Sequence, residues 1–210
     1  MRYVQKFTSA EINNNHEIFK ERLEVYKDAG LDFLASRKYI FDKVSLPKSK
    51  VLDIGTGRGL TCLFLGEAGH NVVTLDIDDE MLKIAALNLD YKNLLSKVQL
   101  YKMDTYSIDF EEQSFGAVFM VEALHHIEDL NKAFEEIDRV LIANGKIVLS
   151  DFNRKGMSVV NKVHRKEGHE HASSSSGRVG AKKWLIEHGY EVKEYEDGCH
   201  WVLVAKKEVA

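Results

Sequence analysis

The stretch Val51-Leu52-Asp53-Ile54-Gly55-Thr56-Gly57-Arg58-Gly59 decides the fold that this sequence predicts. Its first residues favour a β-strand, and an apolar run of helical character follows at 60–65. Glycine permits sharp turns and a close approach to a ligand because it has no Cβ, and the start of a helix offers unpaired N–H groups. The stretch therefore predicts a strand, a glycine loop and a helix that together cradle a nucleotide-like ligand.

The spacing of these glycines indicates which of two kinds of cofactor the loop binds. A dinucleotide loop has the pattern G-x-G-x-x-G/A, whereas here the third glycine comes one residue early and Leu60 occupies the sixth position. An acid followed by G-x-G-x-G resembles motif I of the class I S-adenosylmethionine (SAM)-dependent methyltransferases. The alternative, a glycine-rich turn without a ligand, is disfavoured by the motifs that follow along the chain.

Two later apolar segments also read as strands that end in an acid. The segment 71–76 ends in Asp76, close to the spacing of about 20 residues expected for a carboxylate that binds a ribose; a helix N-cap is the alternative. The segment 98–104 ends in Asp104, with a surface turn as the alternative. In the family that the chain resembles, these acids bind the ribose and the adenine amine, and the residue after the first acid, here Ile77, lies against the adenine.

The resemblance continues through the segment 115–129. An almost fully apolar strand at 115–121 leads into Glu122-Ala123-Leu124-His125-His126, which resembles the family motif that passes the methyl donor. The resemblance thus implies SAM as cofactor and a set of residues that bind it: Asp53, Gly55, Thr56, Gly57, Gly59, Asp76, Ile77, Met103, Asp104, Thr105 and Val121.

The alternation of strands and helices predicts an α/β fold with a doubly wound, mostly parallel sheet. A C-terminal β-hairpin at 190–205 adds an antiparallel strand, as in the seven-stranded sheet of the family. We expect one domain over residues 1–210, with an N-terminal helical lid at 1–44, a SAM-binding core at 45–152, a substrate loop at 153–180, and a helix and hairpin at 181–210. A packing helix pair is the alternative to the lid.

Composition limits the class of partner. With 44% hydrophobic residues, 30% charged residues and a net charge of −4, the chain reads as a cytoplasmic protein that binds neither membrane nor nucleic acid. We predict methyl transfer to a small-molecule acceptor. The alternatives are a SAM-binding module without catalysis and a methyltransferase that acts on RNA or protein. A basic cluster favours a methyltransferase that acts on RNA: Lys155, Lys162, Arg165 and Lys166. The sequence leaves the oligomeric state open.

Histidines concentrate in segments that the predicted topology brings to one edge of the sheet. His125 and His126 follow the fourth strand, His164, His169 and His171 follow the fifth, and the hairpin brings Cys199 and His200 there. Imidazole is both a general base and a common ligand of transition metals. We predict catalytic roles for His125, Glu122 and His169, and a divalent transition metal bound by His125, His164, His169 and His171. The alternative is that these histidines only pack or cap.

Overall fold

The computed structural model of the chain describes residues 1–167 and 177–207. Within them, seven strands form one sheet in the order β3-β2-β1-β4-β5-β7-β6. The pairs β1–β2, β1–β4, β2–β3 and β4–β5 are parallel, whereas β7 runs antiparallel to both β5 and β6. The predicted fold class is confirmed. The elements are α1 (Ser9–Asp28), α2 (Phe33–Asp42), β1 (Val51–Ile54), α3 (Leu60–Glu67), β2 (Val72–Asp76), α4 (Asp79–Tyr91), β3 (Val98–Lys102), β4 (Phe115–Val121), α5 (Leu130–Val140), β5 (Leu141–Phe152), α6 (Arg154–Lys166), α7 (Gly177–Glu187), β6 (Tyr190–Glu196) and β7 (His200–Lys207).

The sheet is buried on both faces, which is why its central strands are apolar throughout. Alternate residues of β4 point to opposite faces. Val118 and Met120 join the core beneath α5 and α7, whereas Ala117 and Phe119 join the core beneath α3 and α4. Residues at the carboxyl ends of these strands are the ones that can leave the core and meet a ligand.

The N-terminal segment forms two helices, as the periodicity predicts. Helix α1 begins with a capping box in which Thr8 and Glu11 satisfy each other's backbone N–H groups. Gly30 has a φ of +101°, which favours glycine, and it separates α1 from α2. The turn between the helices packs through Leu31 against α6. These helices therefore lie over the carboxyl edge of the sheet.

Two details of the sequence prediction are wrong. The segment 153–180 was expected to be a loop, but residues 154–166 form α6. Its valines at 160 and 163 are buried at helical spacing, while the lysines and arginines between them face outward and obscure the pattern. In addition, the pair Asn144-Gly145 is typical of a helix end and predicts that α5 extends to it, but both residues lie within β5. The helix ends at Val140, and β5 begins at once, with a bulge in its pairing with β4.

Among residues 1–167 and 177–207, no helix combines the length and the apolar character that a membrane span requires.

Candidate active site

The glycine loop after β1 has the backbone that its sequence predicts. Gly55, Gly57 and Gly59 all have positive φ values, of 78°, 49° and 87°. At Gly55 there is a further constraint, because a Cβ would lie 2.5 Å from the Cβ of Ala123. Glycine at 55 therefore allows the loop to lie directly against the segment that follows β4.

Asp76, at the end of β2, fixes this loop. Its Oδ2 accepts a hydrogen bond from the Gly57 N–H at 2.8 Å, and its Oδ1 accepts one from the Asp78 N–H at 3.0 Å. The N-cap of α4 is Asp78, not Asp76. The carboxylate of Asp76 is therefore committed to the loop and to the cavity beside it, and not to capping the helix.

A cavity of about 560 Å³, here called the β2–β3 cavity, opens beside the ends of β2 and β3. Two of its apolar lining residues are Ile77, which is 65% exposed, and Met103. Asp104 lines it as well, and its Oδ1 accepts a hydrogen bond from the Tyr106 N–H at 2.9 Å. The structure thus brings together seven of the predicted cofactor residues: Gly55, Gly57, Asp76, Ile77, Met103, Asp104 and Thr105.

A second cavity, of about 260 Å³, lies beneath α1, α2 and α6 and is here called the helix-covered cavity. Thr56 and Val121 line it, as do the three histidines His125, His126 and His164. The two cavities share four lining residues: Gly55, Gly57, Glu122 and His126. They therefore meet between the glycine loop and the end of β4.

Glu122 stands at this junction in a buried ionic cluster. Its Oε2 lies 3.0 Å from Nη2 of Arg37, and its Oε1 lies 2.9 Å from Nε2 of His200. Nδ1 of His200 lies 3.5 Å from Oδ1 of Asp197. Glu122 itself has a φ of +58°, an uncommon value for a residue other than glycine. The cluster thus joins α2, the end of β4 and the start of β7.

The protonation states of the cluster follow from these contacts. Burial opposes ionisation of Glu122, but the charges of Arg37 and His200 prevail and lower the pKa of Glu122 to about 2. Burial likewise favours neutral His200, but the carboxylates of Asp197 and Glu122 raise the pKa of His200 to about 9. Burial acts against ionised Asp197, but His200 and two backbone N–H groups hold the pKa of Asp197 below its ordinary value. At neutral pH the cluster is therefore fully charged.

In Asp53, burial outweighs the contacts that favour the ionised carboxylate. It is 1% exposed, and its Oδ2 accepts a hydrogen bond from the Thr74 hydroxyl at 2.7 Å. Its Oδ1 is buried and has no hydrogen-bond partner within the described residues. Burial raises the pKa of Asp53 to about 7, against the opposing effects of Thr74 and Arg37. Asp53 lies behind the loop and is not among the described residues that line either cavity, as is also true of Gly59. Their contact with a cofactor stays a prediction.

The proton affinities of Asp53 and His200 predict how stability depends on pH in the absence of ligand. In the folded state the pKa values of Asp53 and His200 lie above their ordinary values of 3.8 and 6.5. The stabilisation that each group contributes is therefore fully present below its pKa in the unfolded chain, and it is lost as the pH rises through its pKa in the folded state. We expect the free energy of unfolding to fall by about 6 kcal/mol between about pH 5 and about pH 9, with contributions of similar size from Asp53 and His200. Urea unfolding at a series of pH values measures this.

The control for this prediction is Asp53→Asn. This variant should lose most of the fall in the free energy of unfolding below about pH 7 and keep the fall above that pH, which comes from His200. The lowered pKa values of Glu122 and Asp197 make stability depend on pH in the opposite direction. The stabilisation from these two carboxylates is present above their pKa in the unfolded chain and is lost as the pH falls through their pKa in the folded state. A free energy of unfolding that rises steadily from acid to alkaline pH would refute the prediction.

His125 forms a second buried pair, at the start of the segment after β4. Its Nδ1 lies 2.8 Å from both carboxylate oxygens of Asp151, and its backbone N–H donates to Oδ2 of Asp151 at 2.8 Å. The side chains of His125 and Asp151 are each 5% exposed. A carboxylate at Nδ1 fixes the ring and favours the tautomer whose Nε2 carries no proton. This is the arrangement of an oriented base beside the helix-covered cavity.

The predicted metal site is only partly within the described residues. His125 and His164 both line the helix-covered cavity, whereas His169 and His171 lie outside residues 1–167 and 177–207. Within those ranges, no group of three or more histidine, cysteine and acidic side chains is placed to hold a metal ion. The metal, and a catalytic role for His169, stay predictions.

Sequence reasoning did not identify Arg37 and Arg58, which line the helix-covered cavity. Arg37 is 2% exposed, and its Nε and Nη1 are buried without a hydrogen-bond partner among the described residues. A signal was present, because Arg37 falls between Phe33 and Ile40 on the apolar face of α2. A charged residue at a buried helical position needs a partner, and the partner comes from a distant segment.

Comparison with known proteins agrees with this geometry. A family model described as a methyltransferase domain matches residues 52–149. A ubiquinone/menaquinone biosynthesis C-methyltransferase of Idiomarina loihiensis is 30% identical over 118 residues, which cover 55% of this chain and 47% of that protein. The corresponding protein of Shewanella oneidensis is 30% identical over 122 residues, covering 56% and 48%. The chain spans about half the length of these relatives.

Solved structures agree with the fold over more of the chain. A SAM-dependent methyltransferase from Aquifex aeolicus has a TM-score of 0.68 at 19% identity and covers 96% of this chain and 99% of its own. A protein from Methanococcus maripaludis has a TM-score of 0.70 at 20% identity and covers 100% and 98%. At these identities the likeness concerns the fold alone. The match of the family model covers residues 52–149, which include the glycine loop and the segment after β4. Residues 52–149 of this chain form a methyltransferase domain, and the chain has the fold of the class I SAM-dependent methyltransferases.

Proposed function

We propose that this protein transfers the methyl group of SAM to a small-molecule acceptor. The observation that carries the proposal is the meeting of two cavities of different character at the glycine loop. The β2–β3 cavity offers carboxylates and an apolar slot, which suit a nucleoside. The helix-covered cavity is lined by aromatic, cationic and imidazole side chains, which suit a second reactant. A shared junction brings the reacting atoms together, and positioning is a large part of catalysis.

Residues of the β2–β3 cavity hold the nucleoside in this proposal. Asp76 binds the ribose hydroxyls, because its two oxygens each accept one backbone N–H and have a further lone pair. Ile77 and Met103 pack against the adenine, and Asp104 accepts a hydrogen bond from its amine. Arg37 binds the carboxylate of the methionine part through its two unpartnered nitrogens, and Glu122 keeps the Arg37 guanidinium in position.

SAM, when bound, supplies an electrophilic methyl group on sulfur whose leaving group is neutral. The protein then has to align the acceptor and remove its proton where one must leave. In this proposal His125 accepts that proton, and Asp151, whose Oδ1 lies 2.8 Å from Nδ1 of His125, orients the ring. Glu122 is less suited to this role, because a carboxylate with a pKa of about 2 is a weak base and its oxygens are engaged with two cations. A histidine-bound metal is the alternative activator, and elemental analysis of protein purified without a polyhistidine tag tests it.

The acceptor is proposed to be a small molecule on two grounds. The sequence relatives are C-methyltransferases of ubiquinone and menaquinone biosynthesis, whose names indicate an acceptor that is neither a nucleic acid nor a protein. The helix-covered cavity is also enclosed by α1, α2 and α6 and has a volume of about 260 Å³. The basic side chains of α6, such as Lys162 and Arg165, are exposed and argue for nucleic acid. Strongly salt-dependent retention of tRNA would therefore refute this part of the proposal.

Asp76→Asn tests the cofactor site. We expect the affinity for S-adenosylhomocysteine, the demethylated product, to fall by about 1.5–3 kcal/mol, because charge-assisted hydrogen bonds to the ribose are lost. Isothermal titration calorimetry measures the change. Asp78→Asn is the matched control, since asparagine caps α4 as well as aspartate does.

Two further results would count against the proposed function. Wild-type protein that binds NAD tightly and does not bind S-adenosylhomocysteine would refute the cofactor assignment. Binding without any product from methyl-labelled SAM and a panel of small phenols, amines and acids would instead indicate a SAM-binding module without catalysis.

A further inference from the structure

Arg58 is the x residue between the last two glycines of the loop, and its side chain lines the helix-covered cavity. The other two arginines of that cavity have carboxylate partners. Arg22 lies 2.7 Å from Glu167, and Arg37 lies 3.0 Å from Glu122. Among residues 1–167 and 177–207, no carboxylate lies within ion-pair distance of Arg58. This guanidinium is therefore a half-buried positive charge that forms no ion pair with the described part of the chain.

The surroundings of Arg58 add to its need for an anion. Burial lowers the pKa of Arg58, and the nearby charge of Arg22 lowers it further, although Tyr26 and two glutamates oppose both effects. Glu122 is the one acidic residue that lines the cavity in the described part of the chain, and it is already shared by Arg37 and His200. The lining thus carries an excess of positive charge beside the glycine loop.

Aromatic rings form much of the remaining wall. Tyr26 and Phe33 are in edge-to-face contact at a centroid distance of 4.9 Å, and Phe33 is 6.3 Å from Phe152. The ring of Phe152 lies 5.8 Å from that of His125, which links this wall to the His125–Asp151 pair. Such a wall favours an apolar or aromatic body through both burial and ring–ring geometry.

We propose that the acceptor carries an oxyanion, bound by Arg58 with Arg22 beside it, on an apolar ring-containing body that packs against Tyr26, Phe33 and Phe152. The inference rests on the proposed function and names its substrate class. Arg58 is available for the acceptor because Arg37, at the junction of the two cavities, has two nitrogens for the carboxylate of the cofactor. A guanidinium binds carboxylate and phosphate oxygens with the same planar geometry, so both anions belong to the class.

The first experiment asks which reactant Arg58 serves. Calorimetry compares S-adenosylhomocysteine with 5′-methylthioadenosine, which lacks the amino-acid carboxylate, on wild type, Arg58→Met and Lys162→Met. Lys162 is an exposed cation of α6 that does not line the helix-covered cavity as described. We expect the ratio of the two affinities to be the same in all three proteins. Loss of S-adenosylhomocysteine binding alone in Arg58→Met would assign Arg58 to the cofactor and overturn the inference.

The second experiment measures the charge preference of the acceptor side. Protein saturated with S-adenosylhomocysteine is titrated with phenylacetate, phenyl phosphate and the neutral phenylacetamide. We expect at least one anion to bind about tenfold or more tighter than the amide, as for a charge-assisted hydrogen bond. The preference should disappear in Arg58→Met, persist in Lys162→Met and return in part in Arg58→Lys. The stronger of the two anions identifies the oxyanion.

Two outcomes overturn the inference, and they differ in what else they affect. Equal binding of the anions and the amide, or binding of none of them, by protein that does bind S-adenosylhomocysteine would refute the oxyanion site and leave the proposed function standing. Wild-type protein that fails to bind S-adenosylhomocysteine would refute both.

Discussion

Replacing Glu122 with glutamine is expected to lower the free energy of unfolding by about 3–5 kcal/mol, because removing one member of a buried ion pair leaves the others uncompensated. The change is isosteric and removes only the charge. It leaves the guanidinium of Arg37, whose side chain is 3% exposed, and the ring of His200, which is fully buried, facing each other without an anion between them. Chemical denaturation at neutral pH measures the loss.

A matched control and a double variant make this result specific. Glu128→Gln removes a charge from an exposed glutamate a short distance along the chain, so its effect should stay within about 0.5 kcal/mol. Glu122→Gln combined with Arg37→Met should be more stable than the sum of the two single losses predicts, because the pair is removed as a unit. Strict additivity, or a loss no larger than that of the control, would show that the cluster is not energetically coupled.

The second large effect concerns turnover. We expect His125→Gln to reduce kcat/KM for the acceptor found with methyl-labelled SAM by about 10²–10⁴-fold, the usual contribution of a positioned general base. The affinity for S-adenosylhomocysteine should not change, because His125 is not among the residues assigned to the cofactor. Asp151→Asn should reproduce most of the loss, since it removes the carboxylate that orients the ring at 2.8 Å.

The pH profile separates a base from a residue that only shapes the cavity. The pH profile of kcat/KM should differ in shape between wild type and His125→Gln, because the variant lacks the proposed base. His70→Gln is the control, because His70 follows α3 and lies between the helix and the amino end of β2, away from the carboxyl ends of the strands. An unchanged profile, or a loss below the lower end of the expected range, would exclude proton abstraction by His125.

Much of the fold was predictable because the signals were local. Apolar runs that end in an acid marked the ends of β2 and β3, at and just before Asp76 and Asp104, and three alternating glycines marked the loop between β1 and α3. Helix α6 was not predicted, because its buried positions are few and basic residues surround them. A periodicity signal needs enough apolar positions to stand out from the polar ones.

The candidate site was predictable only in part, for a physical reason. The carboxyl ends of parallel strands meet at one edge, so the residues of the β2–β3 cavity followed from topology. The cluster around Glu122 followed only in part, because the topology brings His200 to that edge, whereas Arg37 comes from a helix before the sheet. Neither residue has a motif of its own, and only the packed structure shows that they share one carboxylate.

The chain order of that cluster also bears on how the protein reaches its native state during synthesis. Segments leave the ribosome in sequence, at about 5–20 residues per second, and earlier ones begin to organise first. Arg37 and Glu122 emerge well before His200, which opens β7, and β7 is the strand inserted between β5 and β6. Arg37 and Glu122 are therefore available before Asp197 and His200 are. The charge cluster cannot be complete until β7 occupies its place between β5 and β6, so the junction of the two cavities depends on the last strand for its final form.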